Sequence, residues 1–302
     1  MSTSGLTPEA DALTLVIPLK AKEGLSLDDF YEYWLNAHVT LPPRFPGISD
    51  IWLHAVSFDS QTWPRTPGIS HRPAPEDDFH GVPEATFPTM EDLGAFQGAS
   101  RVQMEDGINF LSQQIAYCSF GANTATELDD TGVPAPDGHD AFSRHLLFLR
   151  RRDDVSIDDF RAWVVENLAP SLAASSDVIK VRRHLFEQLE VTLDHPGVEM
   201  SKPLDRQYQA MVEVVVADDA SLERFADTSA WSAIADSISA HCNAVHAARV
   251  ERCITTKFAG DITLAGVRGI AVADAIRRLE ATSQLEADVS HLFLPEPTHV
   301  LV

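Results

Sequence analysis

The sequence is poor in cysteine and in basic residues, and it has no long apolar run. The three cysteines, Cys118, Cys242 and Cys253, are too few and too scattered for a disulfide framework or a zinc site. Lys and Arg number 23 against 45 Asp and Glu, a formal net charge of −22. Nucleic acid and anionic membranes both require a basic surface, so we expect neither as a partner. With neither a signal-like N-terminus nor a stretch near ~20 apolar residues, we expect a cytoplasmic protein.

Motifs for cofactors and covalent catalysis are also missing. The segment 266–269 lacks the Lys-Ser/Thr ending of a phosphate-binding loop, and no Ser or Cys has the context of a nucleophile elbow. The only closely spaced histidines, His241 and His246, are five residues apart, which suits metal binding from a helix poorly. We therefore predict no metal site and no cofactor.

Residues 25–42 carry the clearest local signal. Ser26 is placed to cap a helix, Asp28 lies where the exposed N–H groups favour negative charge, and Pro42 prevents continuation. The helix would present one apolar stripe at helical spacing, formed by Leu27, Phe30, Tyr33, Trp34 and Ala37. The pattern predicts an amphipathic helix with His38 at its C-terminal end.

The chain contains two copies of one pattern: strand, helix, strand, strand, helix, strand. The segment 25–30 matches 155–160 at an offset of 130 (155 − 25), and His54 matches His184 at the same offset. Glu84 matches Glu213 at 129 (213 − 84). This is the order of a ferredoxin-like βαββαβ unit. We therefore predict an α+β protein built from two tandem ferredoxin-like repeats.

These matches also predict the domain boundaries. Residues 1–128 form the first repeat, 129–142 a linker, 143–258 a degenerate second repeat, and 259–302 a C-terminal helix and tail. In the second repeat we expect a helix to run to Val245, and we expect 292–297 to be extended.

Two blocks resemble the EthD family, which belongs to the dimeric α+β barrel group. Phe30-x-x-Tyr33-Trp34-x-x-x-His38 is similar to its signature, and residues 79–87 resemble its second block, a strand with a Gly-x-x-Glu pattern. That pattern often has Asp before the Gly, where this chain has His80. The resemblance implies that two sheets pair into a barrel. Here the two repeats can pair within one chain, as a monomer or as a homodimer of fused repeats, because each sheet must bury its open face.

His38 is the leading catalytic candidate, since an imidazole exchanges protons near neutral pH. The second copy has Leu168 at this position, which predicts one site per chain. The alternative is a structural histidine at a helix end.

Three further residues could assist His38. Strand alternation places His54 with Trp52, facing a helix-covered core, and groups Glu84 with His80 on one strand face. A buried carboxylate needs a partner, and a histidine would serve. Each residue also has a structural alternative: a hydrogen-bonded core histidine for His54, and an outward-facing glutamate for Glu84.

Trp34, Trp52 and Phe87 would form an apolar wall for the substrate. Tyr117 would add a polar group from the last strand, the alternative being a core tyrosine. The resemblance implies a cofactor-independent lyase or isomerase acting on a small aromatic or polyketide-like substrate by dehydration, decarboxylation, cyclisation or isomerisation. The site would lie between the sheet and helices of the first repeat. Two alternatives stay open: a heme-binding oxidoreductase of the same barrel group, and a non-catalytic binding protein.

Overall fold

The computed structural model describes residues 12–59, 62–188, 194–195, 197–294 and 299–301. The strands of the first repeat are β1 (Leu13–Val16), β2 (Leu19–Ala21), β3 (Asp50–Ser57), β4 (Gly81–Phe87), β5 (Leu111–Gln114), β6 (Tyr117–Phe120) and β7 (Thr124–Asp129). Those that follow are β8 (His139–Asp140), β9 (Ser143–Arg151), β10 (Val178–Leu185), β11 (Asp194–His195), β12 (Val198–Glu199), β13 (Ala210–Val216), β14 (Cys242–Phe258) and β15 (Asp261–Ile262).

The α-helices are α1 (Leu27–Asn36), α2 (Met90–Ala99), α3 (Arg101–Gly107), α4 (Ile157–Trp163), α5 (Ala169–Ala173), α6 (Asp219–Ala226), α7 (Ser229–His241), α8 (Leu264–Arg268), α9 (Ile270–Arg278) and α10 (Ala287–His291). Short 3-10 turns at His38–Thr40 and Pro42–Arg44 follow α1. Val164–Leu168 forms a π-helical turn between α4 and α5.

Each repeat forms a four-stranded antiparallel sheet in the ferredoxin-like order. The first has the order β6-β1-β4-β3 and the second the order β14-β9-β13-β10. Pro18 lies between β1 and β2, as expected for a residue that cannot donate to a strand ladder. The predicted ferredoxin-like repeats are confirmed.

The two sheets join through strands that each serve both repeats. The first part of β14 pairs with β9, and its second part pairs with β3 of the first repeat. Likewise β6 pairs with β1, and its continuation β7 pairs with β10 of the second repeat. The sheets therefore close into a barrel within a single polypeptide, as the sequence predicted.

The apolar core has three main parts. One lies between the first sheet and its helices and contains Phe30, Trp34 and Phe110. Its counterpart in the second repeat contains Phe160 and Trp163. A third, the barrel interior, lies between the two sheets. Its apolar members come from both repeats and include Val16, Val56, Val82, Tyr117, Leu146, Phe148, Tyr208 and Met211.

The C-terminal extension packs on the first repeat. Leu264, Ala265 and Ile270 belong to the same core as α1, and the main-chain N–H of Ala271 donates to Oδ1 of Asn36 at 2.7 Å. Gly269 has φ +83°, and a Cβ there would come within 2.8 Å of the carbonyl oxygen of Asn36. The extension thus covers the C-terminal end of α1.

Two element boundaries differ from the sequence prediction. The helix expected to reach Val245 ends at His241, because extended backbone begins at Cys242 and supplies the ladder with β9. Of the expected extended tail, residues 292–294 follow α10 in a turn, and 295–297 lie outside the described residues.

Candidate functional site

His38 follows directly on α1. The hydroxyl of Ser26 accepts from the main-chain N–H of Asp29 at 3.1 Å and starts the helix. Ala37 ends it, and His38 opens a 3-10 turn that the two following prolines cannot convert back to helix. The histidine therefore sits at a fixed corner of the chain, 8% exposed.

Asp106 is the partner of this histidine. Its Oδ2 lies 2.7 Å from Nδ1 of His38, and its Oδ1 accepts from the hydroxyl of Tyr33 at 2.6 Å. The side-chain amide of Asn109 donates to Oδ1 at 3.2 Å. One carboxylate near the end of α3 thus orients both polar side chains at the end of α1.

The electrostatics of this group match its geometry. The hydrogen bond from His38 is the main cause that lowers the pKa of Asp106, and the bond from Tyr33 adds to it. The hydrogen bond to Asp106 raises the pKa of Tyr33. Asp106 therefore stays ionised and Tyr33 stays protonated at neutral pH, the states that hold a histidine by Nδ1.

Aromatic side chains surround the group. The Phe110 ring lies 4.9 Å from that of His38 and 5.3 Å from that of Tyr33, measured between centroids. Phe30 and Trp34 stack at 5.6 Å behind them. His38 and Asp106 therefore form a polar pair set within an aromatic layer.

His54 and Glu84 lie on the other face of the sheet. Leu53 and Ala55 of β3 face the helices, so strand alternation turns His54 into the barrel interior. Glu84 on β4 contacts the second repeat there: its Oε1 is 2.9 Å from Nη2 of Arg182 and 3.6 Å from Nε2 of His184. The expected convergence of His54 and Glu84 with His38 is therefore wrong, because the sheet separates them.

The barrel interior holds a largely neutralised network of buried charges. Burial would raise the pKa of Glu84, but Arg182 and its neighbours outweigh it and lower that pKa to about 2. Burial lowers the pKa of His54 to about 3 and of His184 to about 4. Glu213, the counterpart of Glu84, forms its own ion pair with Arg144. Such mutual pairing is typical of charges buried for structure.

His80 lies on the helix side but far from His38. Its Nδ1 accepts from the main-chain N–H of Ala21 at 3.1 Å, and its ring packs near Phe30 at 6.0 Å. Phe30 belongs to the first turn of α1, about 12 Å along the helix from His38. Burial lowers the pKa of His80, so it is neutral. It precedes β4 and does not share the strand face of Glu84, contrary to expectation.

The sheet also divides the four residues predicted to bind the substrate. Trp34 and Phe87 lie in the helix-side core, where Phe87 packs on Phe96 at 5.3 Å. Trp52 faces the barrel interior under the guanidinium of Arg182, 4.9 Å from its ring centroid. Tyr117 is buried in the barrel interior. Of these four, Trp34 belongs to the aromatic layer around His38.

The described part of the second repeat has no equivalent of the His38 group. Leu168 is 2% exposed and lies in the π-helical turn within its apolar core. The contrast between the repeats is therefore one of polarity as well as sequence.

Sequence reasoning missed Asp106 as the partner of His38 and Arg182 as the partner of Glu84. Asp106 follows Glu105 in an acidic helix with nothing to distinguish it, and its pairing spans 68 residues. Arg182 lies in a basic strand segment whose alternation would have placed it on the face of His184.

Among the described residues, no cluster of three or more His, Cys, Asp or Glu side chains could hold a metal ion. No helix in the described ranges is both long and apolar enough to cross a membrane.

Heme is the cofactor of the alternative function that the sequence left open. His38 meets one requirement, since Asp106 fixes Nδ1 and leaves Nε2 for a ligand bond. However, Phe30, Trp34 and Phe110 fill the adjoining layer, each at most 1% exposed. A porphyrin would have to displace them, so the residues present do not fit a heme.

Comparisons with known proteins agree with this architecture. Residues 22–114 match the EthD domain family. No curated protein matches the sequence. Among solved structures, an anthrone oxidase-like protein has a TM-score of 0.50 at 12% identity, with 83% of this chain and 96% of that chain covered.

Two further solved structures are more distant. A candidate monooxygenase from Lactobacillus acidophilus NCFM has a TM-score of 0.46 at 12% identity, covering 82% of this chain and 97% of that one. Ferric DtpA from Streptomyces lividans has a TM-score of 0.40 at 9% identity, covering 90% and 95%. Residues 22–114, which contain both His38 and Asp106, match the EthD domain family, and the chain as a whole has the fold of the dimeric α+β barrel group, closed within one polypeptide.

Proposed function

We propose that this protein is a proton-transfer enzyme in which His38 removes a proton from a small aromatic substrate. The observation that supports it best is the 2.7 Å contact between Nδ1 of His38 and Oδ2 of Asp106. A carboxylate in this position holds the ring in one orientation and stabilises the imidazolium that forms when the other nitrogen takes a proton.

Each residue of the group has a role. Asp106 accepts from Nδ1–H of His38, which leaves the lone pair on Nε2 to act as the base. Tyr33 holds the second oxygen of Asp106 and keeps the carboxylate from turning away. The ring of Tyr33 is partly exposed beside the buried Phe110, 5.3 Å between centroids, and offers an apolar contact for an aromatic ring. The 8% exposure of His38 favours a substrate that presents its acidic C–H at the edge of the layer.

The proposal also concerns the reaction that follows proton removal. Proton removal followed by departure of a leaving group gives a lyase, and return of the proton from His38 to another atom of the substrate gives an isomerase. We favour these outcomes because they need nothing beyond the side chains named. The fold shared with an anthrone oxidase-like protein supports a second candidate. In that case the same proton removal yields a carbanion that reacts with molecular oxygen.

The test uses anthrone, whose methylene protons are acidic and lie between two aromatic rings. The protein is incubated with anthrone in D₂O, deuterium exchange at the methylene is followed by NMR, and oxygen uptake is recorded in parallel. We expect His38→Ala to lower the background-corrected exchange rate by about 10²–10⁴-fold, the usual contribution of a positioned base.

The control is Glu105→Gln, which changes an exposed carboxylate next to Asp106 and should leave the rate unchanged. Exchange without oxygen uptake would support proton transfer alone, and coupled uptake would support oxygenation. Equal rates for the wild type and His38→Ala would contradict both candidates.

A further inference from the structure

A small pocket opens at one end of the barrel interior, away from His38. Its walls come from both repeats: Phe79 and Tyr117 from the first, Arg150 and Tyr208 from the second. The rings of Tyr117 and Tyr208 lie 5.9 Å apart. The cavity volume is about 20 Å³, enough for a water molecule or two. We call it the Tyr117 pocket.

Three basic side chains of the Tyr117 pocket converge on one carboxylate. Arg206 contacts Asp77 through Nε, at 3.1 Å to Oδ1 and 3.2 Å to Oδ2, and through Nη2. Arg150 Nη2 lies 3.2 Å from Oδ2, and Lys202 Nζ lies 3.4 Å from Oδ1. Asp77 and Lys202 have side chains only 8% and 6% exposed. This is a built carboxylate-binding arrangement, currently filled by the chain itself.

The charge of the pocket opposes that of the protein. The charged residues in its lining are Arg150, Lys202, Arg206 and Asp77, a surplus of two positive charges in a chain of net charge −22. Glu199 contacts Lys202 at 2.9 Å from a partly exposed position and offsets part of it. Nε of Arg150 is buried and has no hydrogen-bond partner among the described residues. With Glu199 counted beside Asp77, one of the three positive charges remains unmatched (3 − 2), so the pocket favours an anion.

Asp77 is attached to the barrel by a loop. It ends a 3-10 turn at Pro75–Asp77, in the long connection between β3 and β4. Burial would raise its pKa, but the hydrogen bonds from Arg206 and Arg150 outweigh that effect and lower it. Its carboxylate is thus an ionised group held by contacts that a free carboxylate could also make.

We propose that the Tyr117 pocket binds a small aromatic carboxylic acid, whose carboxylate takes the place of Asp77 on Arg206 and Arg150. The guanidinium fork of Arg206 already pairs with both oxygens of a planar carboxylate. Departure of Asp77 enlarges the cavity beside the rings of Phe79, Tyr117 and Tyr208, which would pack on the ring of the acid. The site is separate from His38 and does not rest on the proton-transfer proposal.

The first experiment uses the wild-type chain and compares benzoate with benzyl alcohol, a neutral molecule of similar shape. Because a ligand that binds only the folded state stabilises it, benzoate should raise the unfolding midpoint in a saturable way and benzyl alcohol should not. Equal effects of the two, or an equal effect of inorganic phosphate, would overturn the proposal.

The second experiment measures benzoate affinity by calorimetry in variants checked for folding by circular dichroism. Asp77→Asn should bind about tenfold or more tightly than the wild type, because the competing carboxylate is gone, and adding Arg206→Gln should cost about tenfold. Adding Arg249→Gln instead, at an ion pair with Asp219 outside the pocket, should cost nothing.

Two results of the second experiment would overturn the exchange mechanism. One is equal affinity of the wild type and Asp77→Asn, and the other is no loss on adding Arg206→Gln. His38→Ala should bind benzoate as the wild type does, so this test and the anthrone test fail or succeed independently.

Discussion

At the scale of single residues, the two histidines His38 and His54 differ in their surroundings more than in their sequence context. His38 keeps a small exposed edge and an ionised partner. His54 is 1% exposed, and neither ring nitrogen has a hydrogen-bond partner among the described residues. Burial holds the pKa of His54 at about 3, so it cannot be a base that cycles through a charged form near neutral pH.

Asp106 gives the most direct test of orientation. Asp106→Asn removes the charge that fixes Nδ1 of His38 while keeping the size of the side chain. We expect the His38-dependent exchange rate to fall by about 10–100-fold, the usual effect of losing an orienting partner, with the unfolding midpoint little changed. The measurement is anthrone exchange together with urea denaturation. A rate within twofold of that of Glu105→Gln would mean that Asp106 does not orient the base.

At the scale of elements, α1 is held on the sheet by a close approach to β4. Gly81, the first residue of β4, lies beneath the indole of Trp34, and a Cβ there would come 2.6 Å from Cη2 of the ring. Trp34 is 1% exposed and has no room to move. The position of His38 at the end of α1 depends on this contact.

Gly81→Ala should therefore lower the free energy of unfolding by about 1–3 kcal/mol, the cost of overpacking a filled core. Gly94→Ala is the matched control: Gly94 lies in α2 and its Cβ would meet nothing within 4 Å. That change should stabilise the protein by about 0.5–1 kcal/mol, because alanine is the better helix former. Urea denaturation measures both, and a neutral Gly81→Ala would show that Trp34 can shift.

At the scale of the whole molecule, fusing the two repeats gives the barrel an interior with unlike halves. Ion pairs such as Glu84–Arg182 connect the two repeats across the barrel interior, and further polar groups are buried there. Four buried histidines have a strongly lowered pKa, with burial as the main cause: His54, His145, His184 and His246. The folded protein keeps them neutral well below the pH at which they charge in the unfolded chain.

The sign of the pH dependence follows. In the unfolded chain these histidines take up protons as the pH falls through about 6.5. In the folded protein they stay neutral, so the free energy of unfolding decreases as the pH is lowered. Each group contributes a slope of about 1.4 kcal/mol per pH unit. Glu84 acts in the same direction at lower pH, since its pKa is about 2 in the fold.

We expect His54→Gln to reduce the slope of the free energy of unfolding between about pH 6 and pH 5 by roughly 1.4 kcal/mol per pH unit. Urea denaturation at several pH values measures it. Glu105→Gln, at an exposed position, should keep the wild-type slope. An unchanged slope in His54→Gln would mean that His54 is charged in the fold.

The amino-acid sequence by itself determined the local elements and their repetition. Ser26 and Ser156 cap equivalent helices, and the apolar spacing that follows each is that of an amphipathic helix. The steady offset between the copies predicted the two ferredoxin-like units, and the resemblance to the EthD family implied that their sheets pair into a barrel. It also predicted that His38 has no counterpart at Leu168.

Only the tertiary structure decided which face each candidate residue occupies and what it contacts. Alternation along β3 correctly grouped His54 with Trp52, but it could not say that this face meets the second sheet and not the helices. Asp106 and Arg182 reach His38 and Glu84 across 68 (106 − 38) and 98 (182 − 84) residues. The contact of Arg182 with Glu84 depends on how β3, β7, β10 and β14 pair between the repeats, and that of Asp106 with His38 depends on how α3 packs at the end of α1. Local spacing carries no information about either arrangement.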